Sequence, residues 1–162
     1  MASIHGFPPI VGDNSRILIL GSMPGAESIR LAEYYAHPRN AFWPVIYGIH
    51  GRSPDTEYTA RKNFLLSIGA ALWDVVESCE RNGSSDSAIK KPVFNDFLCF
   101  FRRYPEIGHV CFNGRKAETL FFSRFKNSFP GLTYTRLGST SPAHAVMMDS
   151  RLLDWKRLLS LQ

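Results

Sequence analysis

Four short apolar segments, separated by stretches with helical character, constrain the fold most strongly. They are RILIL, AALWDVV, HVCFN and TYTRL, beginning at residues 16, 70, 109 and 133. Each has the length and apolar content of a buried strand. Because strands that alternate with helices form parallel sheets covered on both faces, we predict a three-layer α/β/α sandwich with a short, mostly parallel central sheet. The length of 162 residues, 44% of them hydrophobic, fits a single domain over residues 1–162.

The segments between and after these strands predict helices and one loop. Helical patterns follow Asn40, which is a plausible N-cap, and cover residues 56–69, 93–105 and 114–129. A last helix is predicted over residues 149–161, capped by Asp149 and Ser150 and buried along Leu152, Trp155, Leu158 and Leu159. The polar segment 77–91 predicts a mobile surface loop.

Composition excludes some classes of protein and favours others. The longest apolar stretches are too short to span a bilayer, and the first residues lack the pattern of a secretory signal, so we expect a cytoplasmic protein. Cys79, Cys99 and Cys111 are expected to be buried, reduced thiols, because their spacing suits neither zinc nor an iron–sulfur cluster. We therefore expect no metal and no cofactor. A formal charge of +5 weakly favours a polyanionic partner.

The stretch GSMPGAES, residues 21–28, directly follows the first predicted strand and allows three interpretations. It is a phosphate-binding loop, a plain turn, or the floor of an active site. A P-loop needs Lys followed by Ser or Thr, a dinucleotide-binding loop needs three spaced glycines, and neither pattern is present. Pro24 also removes a backbone donor that a phosphate site would use. An active-site floor is therefore favoured, since parallel sheets bind ligands beyond the carboxyl ends of their strands.

Three further segments carry a family resemblance: YYAHPRNAFW at residues 34–43, FNGRKAE after the third strand and STSPAHA after the fourth. Together with GSMPG, this set resembles the uracil-DNA glycosylase superfamily, and in particular its hypoxanthine-DNA glycosylase branch. The resemblance runs in order over nearly the whole chain. It implies the glycosylase fold, a substrate base flipped out of DNA, and hydrolysis of the bond between that base and deoxyribose.

The resemblance also implies catalytic residues. Many members carry Asp or Asn two residues after the first glycine of GSMPG, where this chain has Met23. A thioether does not orient water by a strong hydrogen bond, so Asn40 is the residue expected to hold the attacking water. Its alternative role is to cap the following helix. Ser22 and Met23 are expected to supply backbone donors, and Gly21 and Gly25 to line the same floor.

Further residues are expected to bind the base or the DNA. For the base they are Phe42 or Trp43 as a stacking ring, Asn113 at its edge, and Ser139. The alternatives are packing in the core for the two rings and helix capping for Asn113. For the DNA backbone and groove they are Arg39, Arg115, Lys116, Ser141, Pro142, Ala143 and His144, with Arg136 as a further basic residue. A solvated basic surface is the alternative for the charged members of that set.

Together these expectations describe a monofunctional DNA glycosylase of base excision repair. It would remove hypoxanthine from deoxyinosine, or uracil or xanthine, from duplex or single-stranded DNA. It would act as a monomer, with no membrane partner, near the nucleoid of a bacterial or archaeal cell. Two other interpretations stay open at this point: a catalytically silent DNA-binding relative, and a nucleotide-binding α/β protein.

Overall fold

The computed structural model describes residues 3–162. The strands are β1 (Ser3–His5), β2 (Ile17–Gly21), β3 (Ala70–Asp74), β4 (Val76–Glu80), β5 (Lys90–Phe94), β6 (His109–Asn113) and β7 (Thr133–Leu137). The α-helices are α1 (Ala26–Leu31), α2 (Phe42–Gly48), α3 (Tyr58–Ser67), α4 (Phe97–Arg103), α5 (Arg115–Phe125) and α6 (Met148–Trp155), and 3-10 helices cover Asp86–Ala88 and Lys156–Leu161. Within residues 3–162, no helix has the length and apolar character needed to cross a bilayer.

The main sheet has four parallel strands in the order β3, β2, β6, β7. The four strands predicted from the sequence are therefore confirmed, as is the α/β fold class. Every residue of β2 and β3 is buried, as expected for strands covered on both faces. Helices flank this sheet and complete a core that is rich in aromatic residues.

A second, antiparallel sheet joins strands β1, β4 and β5. The prediction of a mobile loop over residues 77–91 is wrong for its ends, because β4 and β5 occupy them. The helix predicted from residue 93 is also too long, since α4 begins at Phe97 after Asp96 caps it through the Cys99 N–H. Polar, partly exposed edge strands such as β5 lack the apolar alternation on which the sequence prediction relied.

The two sheets meet where β3 runs into β4. Val75 donates its N–H to the Gly21 carbonyl over 2.9 Å, and Val76 donates to the Ser22 carbonyl over 3.1 Å. The Asn95 side chain donates to the backbone carbonyl of Asp74 over 2.8 Å. Asp74 therefore lies at the junction between the sheets, beside the end of β2.

The strand order predicts a ligand-binding crevice at the carboxyl end of β2. From β2 the chain passes to β3 on one side and later to β6 on the other. Connections that leave a central strand in opposite directions open a gap at its carboxyl end, which is where open α/β sheets bind ligands. We expect the GSMPG loop, residues 21–25, to form the floor of this gap.

The C-terminal segment differs in detail from its prediction. Helix α6 begins at Met148, without a side-chain cap, so the proposed capping by Asp149 and Ser150 is wrong. Trp155 and Leu158 are fully buried as predicted, whereas Leu159 is 38% exposed because the chain tightens into a 3-10 helix after Trp155. Among the cysteines, Cys79 and Cys111 are buried, but Cys99 is exposed, contrary to expectation.

Candidate active site

Loops from three strand ends are tied together by Thr140, a buried residue that the sequence analysis did not single out. The Asn113 Oδ1 accepts the Thr140 N–H over 2.9 Å, and the Asn113 Nδ2 donates to the Thr140 hydroxyl over 2.8 Å. The Thr140 carbonyl in turn accepts the Ala41 N–H over 3.0 Å. The segments around Asn40, Asn113 and Ser139 are thus held side by side at the carboxyl edge of the sheet.

Asn113 is occupied mainly by this contact. Both ends of its amide bind Thr140, which leaves one N–H of Nδ2 for any other partner. It does not cap helix α5, where Gly114 is the N-cap residue with φ of 92°. A Cβ at Gly114 would lie 3.0 Å from the Ser139 Cβ, so glycine allows the loop of residues 138–145, here called the Ser-Pro loop, to pack against this turn.

Gly21 allows two polar side chains to approach the end of β2. A Cβ at this position would lie 2.5 Å from Asp74 Oδ1 and 2.8 Å from the Tyr35 hydroxyl oxygen. Any larger residue would displace one of them. The first glycine of GSMPG is therefore required by close packing around the side chains of Asp74 and Tyr35, which we call the polar cluster.

Asp74 is 4% exposed, and its Oδ2 has no hydrogen-bond partner among residues 3–162. Burial raises the pKa of this carboxyl to about 7; the negative charge of Asp86 adds to the increase, and the positive charge of Arg81 opposes it. Such a group exchanges a proton near neutral pH. An unpartnered buried carboxyl is costly unless a ligand or water satisfies it, which marks Asp74 as a candidate site residue.

Tyr35 supplies the second polar atom of the cluster. Its hydroxyl is buried and makes no hydrogen bond of standard geometry within residues 3–162, although the Asn113 amide lies near enough to lower the pKa of Tyr35. Burial and the Asp74 charge raise the pKa of Tyr35, so the hydroxyl stays protonated. The backbone of Tyr35 has φ of 54°, an uncommon value for a non-glycine residue, and its ring stacks on Phe42 at 4.1 Å between centroids.

The two rings expected to stack on the base are both core residues. Phe42 has no exposed surface and Trp43 is 2% exposed, with its indole N–H bound to the Tyr34 carbonyl. Neither presents a free face in this structure. The prediction is therefore corrected: Phe42 packs behind Tyr35, and Trp43 packs in the core.

The side chains of Ser22 and Met23 are both engaged in contacts within the protein, one by a hydrogen bond and the other by apolar packing. The Ser22 hydroxyl donates to Asp86 Oδ1 over 2.6 Å and so is not free to donate to a ligand. Met23 is 6% exposed and packs with Val76 and Cys79. The Met23 side chain therefore packs under the loop, and the expected contribution of Met23 through its backbone N–H stays a prediction.

Asn40 combines the helix-terminal role with a free donor. Its Oδ1 accepts the N–H of Phe42, the first residue of α2, over 2.9 Å, although the N-cap position itself is Ala41. The residue is half-buried, and its Nδ2 makes no hydrogen bond within residues 3–162. The helix-terminal contact fixes the amide in orientation and leaves its donor end available.

The Ser-Pro loop is built from local turns and braced by α6. Ser139 Oγ accepts the Ser141 N–H over 3.1 Å, and Ser141 Oγ accepts the Ala143 N–H over 3.2 Å. Arg151 donates to the His144 carbonyl, and the Trp155 indole donates to the Gly138 carbonyl. The tip of this loop, which comprises Pro142, Ala143 and His144, is exposed.

Beside this loop lies a basic cleft of about 690 Å³. Its lining includes Arg115, Arg136, Arg157, Ser139 and His144. Arg136 pairs with Glu118 at 2.9 Å, and Arg157 pairs with Asp154. Arg115 is exposed at the start of α5 and has no carboxylate within 4.0 Å among the described residues, so it carries uncompensated charge.

Arg39 and Lys116 complete the set of predicted basic contacts. Arg39 is exposed next to Asn40, and Lys116 is half-buried at the first turn of α5. The structure thus brings GSMPG, Asn40, Asn113 and the Ser-Pro loop to one edge. It also brings Tyr35, Asp74 and Thr140 there, which sequence reasoning missed. The available sequence signal was the YYAHP motif for Tyr35 and, for Asp74, a polar residue at the end of a buried strand.

Comparison with known proteins identifies the family. The model of the uracil DNA glycosylase superfamily matches residues 8–160. A Methanosarcina acetivorans protein named hypoxanthine DNA glycosylase is 35% identical over 94% of this chain and 95% of its own length. A protein of the same name from Methanosarcina barkeri is 40% identical over 70% of this chain and 72% of its own length.

A solved structure agrees with these sequence matches. It is a solution NMR structure of a Methanosarcina acetivorans protein described as a candidate uracil DNA glycosylase. It superposes with a TM-score of 0.84 at 34% identity and covers 97% of this chain and 96% of its own. The resemblance inferred from GSMPG, YYAHPRNAFW and STSPAHA is confirmed, and the chain belongs to the uracil DNA glycosylase superfamily.

Proposed function

We propose that hypoxanthine is the base that this DNA glycosylase removes, by hydrolysis of the bond between the base and deoxyribose. The two Methanosarcina relatives named hypoxanthine DNA glycosylase support this substrate. Within the chain, one observation carries the proposal. Two buried polar atoms at the end of β2, the Tyr35 hydroxyl and Asp74 Oδ2, make no hydrogen bond of standard geometry within residues 3–162.

The polar cluster matches the edge that deamination creates on a base. Hypoxanthine presents a ring N–H donor next to a carbonyl acceptor. The protonated Tyr35 hydroxyl donates to a carbonyl, and a carboxyl oxygen of Asp74 accepts from a ring N–H. Adenine presents the opposite pattern, an acceptor next to an amino donor, and pairs with this cluster only when Asp74 is protonated and the Tyr35 hydroxyl accepts, so selection against adenine requires an ionised Asp74. Uracil and xanthine share the N–H and carbonyl edge, which makes them secondary substrates.

The ring of Tyr35 is proposed to be held so that its hydroxyl reaches the edge of the flipped base. Phe42 supports it from behind at 4.1 Å, and the unusual backbone at Tyr35 is held by this packing. Base-flipping enzymes read the extruded base by stacking and by hydrogen bonds to its edge. Tyr35 supplies the hydrogen bond: its hydroxyl lies in the plane of its own ring, so the ring does not stack on the base whose edge the hydroxyl binds.

Catalysis is proposed to follow a dissociative course. The bond from C1′ to the base breaks, its electron pair moves to the base, and backbone N–H groups of Ser22 and Met23 stabilise the resulting charge. Asn40 orients the water that attacks C1′, with its amide held against the start of α2. Of the lysines, only Lys116 belongs to one of the three loops at this edge, and it is proposed to contact DNA, so no amine nucleophile is expected and the enzyme is monofunctional.

DNA is proposed to lie across the basic cleft and the exposed Ser-Pro loop. Arg115 and Arg39 contact phosphates, with Lys116 in support, and the tip at Ala143 and His144 enters the minor groove. Residues 1–162 act as one domain and as a monomer. The cytoplasm, near the nucleoid, is the proposed site of action.

Base release from defined duplexes tests this function. Oligonucleotides carrying one deoxyinosine, deoxyuridine, deoxyxanthosine or deoxyadenosine are incubated with enzyme, and abasic sites are revealed by hot alkali. We expect release from deoxyinosine to be fastest and none from deoxyadenosine. Asn40→Ala should lower the single-turnover rate by about 100-fold while DNA binding is kept.

Two results would contradict the proposal. Binding of all four duplexes without any release would indicate a silent DNA-binding relative. Equal release of adenine and hypoxanthine would show that the polar cluster does not select the deaminated edge. Asn63→Ala, on the outer face of α3, serves as the matched control for Asn40→Ala and should leave the rate unchanged.

A further inference from the structure

The segment of residues 81–89 is docked on the GSMPG loop, although its sequence is typical of a mobile loop. Arg81, 4% exposed, donates to the Pro24 carbonyl. The Ser84 hydroxyl accepts the Ala26 N–H over 2.8 Å. The Ser22 hydroxyl donates to Asp86 over 2.6 Å. Three contacts along six residues thus hold one side of this segment against the floor of the crevice.

These contacts bring a carboxylate to the crevice. Asp86 opens a single 3-10 turn, is partly exposed, and uses Oδ1 to accept from Ser22. Its charge acts on both members of the polar cluster, Asp74 and Tyr35. The positive charge nearby is the buried Arg81 guanidinium. It donates to the Pro24 carbonyl and lies more than 4.0 Å from every carboxylate in residues 3–162.

The GSMPG loop itself provides no acid. Met23 occupies the position from which many superfamily members offer a carboxylate or amide, and its side chain packs with Val76 and Cys79. Asp74 is buried beneath Gly21, and its proposed hydrogen-bond partner is the edge of the base. Asp86 is therefore the carboxylate that combines a fixed position over the loop with access to solvent.

We propose that Asp86 is a catalytic residue that faces the deoxyribose of the flipped nucleotide and compensates for Met23. This inference rests on the proposed function. As the bond to the base breaks, positive charge develops on the sugar, and the carboxylate stabilises it. The attacking water forms the new bond to C1′ and gives its proton to Asp86, which releases it to solvent. The departing base takes a proton from solvent, so one water is consumed overall.

The first test separates charge from structure. Asp86→Asn keeps an oxygen that accepts from Ser22, so docking of the segment is retained while the charge is lost. We expect its single-turnover rate to fall by about 100-fold or more. Its affinity for DNA should be unchanged or higher, because removal of an anion lessens repulsion of phosphates. Asp13→Asn, which removes an exposed carboxylate far from the crevice, should match the wild type in both.

Asp86→Glu keeps the charge and should keep more activity than Asp86→Asn. A rate for Asp86→Asn within twofold of wild type would overturn the inference. So would a parallel loss of rate and DNA affinity in both variants, which would indicate that Asp86 only holds the segment in place. Circular dichroism melting of each variant establishes that the fold is retained.

A binding test probes the same charge without turnover. Duplexes carry either a neutral tetrahydrofuran abasic analogue or a cationic pyrrolidine analogue at the same position. The wild type should bind the cationic analogue at least tenfold more tightly, and Asp86→Asn should lose most of that preference. An equal preference in both proteins would overturn the inference. If deoxyinosine is not a substrate but the Asp86-dependent preference is present, the proposed substrate fails and the role of Asp86 stands.

Discussion

Replacement of Asp74 by asparagine should remove a pH dependence of stability, and the size of the effect follows from the burial of this carboxyl. The folded protein raises its pKa from 3.8 to about 7, chiefly through desolvation. Between those two pH values the folded protein keeps a proton that the unfolded chain has lost. The free energy of unfolding of the wild type therefore falls as pH rises across this window, and the fall ends above pH 7.

The magnitude follows from the shift of about three pKa units at about 1.4 kcal/mol each, which sets an upper bound near 4 kcal/mol. The amide that replaces the carboxyl does not titrate and so avoids this loss. It still buries polar atoms without partners, however, which costs about 1–3 kcal/mol at every pH. The stability of Asp74→Asn relative to the wild type should thus rise by several kcal/mol from pH 4 to pH 8, whatever its sign at pH 4.

Urea unfolding of both proteins at unit steps from pH 4 to pH 8 measures this difference. Asp13→Asn is the control, because the Asp13 side chain is 82% exposed and its pairing with Arg103 is long, at 3.8 Å. That variant should track the wild type at each pH. A difference between Asp74→Asn and wild type that stays constant from pH 4 to pH 8 would refute the assignment of Asp74 as a buried carboxyl that favours its protonated form.

Three further predictions concern the crevice. Gly21→Ala places a methyl group 2.5 Å from Asp74 Oδ1, so the free energy of unfolding should fall by about 1–3 kcal/mol and base release should be lost. The control is Gly131→Ala, which has no atom within 4 Å of the added Cβ and should change stability by less than about 0.5 kcal/mol. Thr140→Val removes the acceptor of Asn113 Nδ2, so the free energy of unfolding measured in urea should fall by about 1–2 kcal/mol and base release should be slower. Thr119→Val, at an exposed position, is the control, and equal stability of the two variants would contradict the anchoring role of Thr140. Arg115→Ala should reduce the slope of log affinity for DNA against log salt by about 0.9, while Arg124→Ala, at the other end of α5, should not; an unchanged slope would remove Arg115 from the phosphate contacts.

The main sheet was predictable because its strands are short, apolar runs with helices between them. RILIL and HVCFN are buried over most of their length, and such runs carry their own signal. The second sheet was not predictable, since β5 has the sequence KKPVF and is an exposed edge whose pairing depends on β4 rather than on its own residues. Segment 81–89 resembles a mobile loop for the same reason, because its order comes from long-range contacts to Ser22, Pro24 and Ala26.

In the candidate site, the positions of the loops were predictable, whereas the directions of individual side chains were not. Motifs located the loops, and Asn40, Asn113 and Ser139 do lie on segments joined through Thr140. The roles of individual side chains depended on directions that a linear pattern does not contain. The side chains of Phe42 and Trp43 turn into the core, that of Met23 turns under the loop, and that of Asp74 turns over the end of β2. A polar residue that ends a buried strand carries too little local signal to separate a site residue from a surface one.

Selective removal of the deaminated base is measured by single-turnover release from matched duplexes, one with deoxyinosine and one with deoxyadenosine at the same position. We expect free hypoxanthine from the first duplex and no adenine from the second, with the difference reduced in Tyr35→Phe because the donor to the base carbonyl is lost. Release of both bases at similar rates, or binding of the deoxyinosine duplex with no release at all, would contradict selective removal.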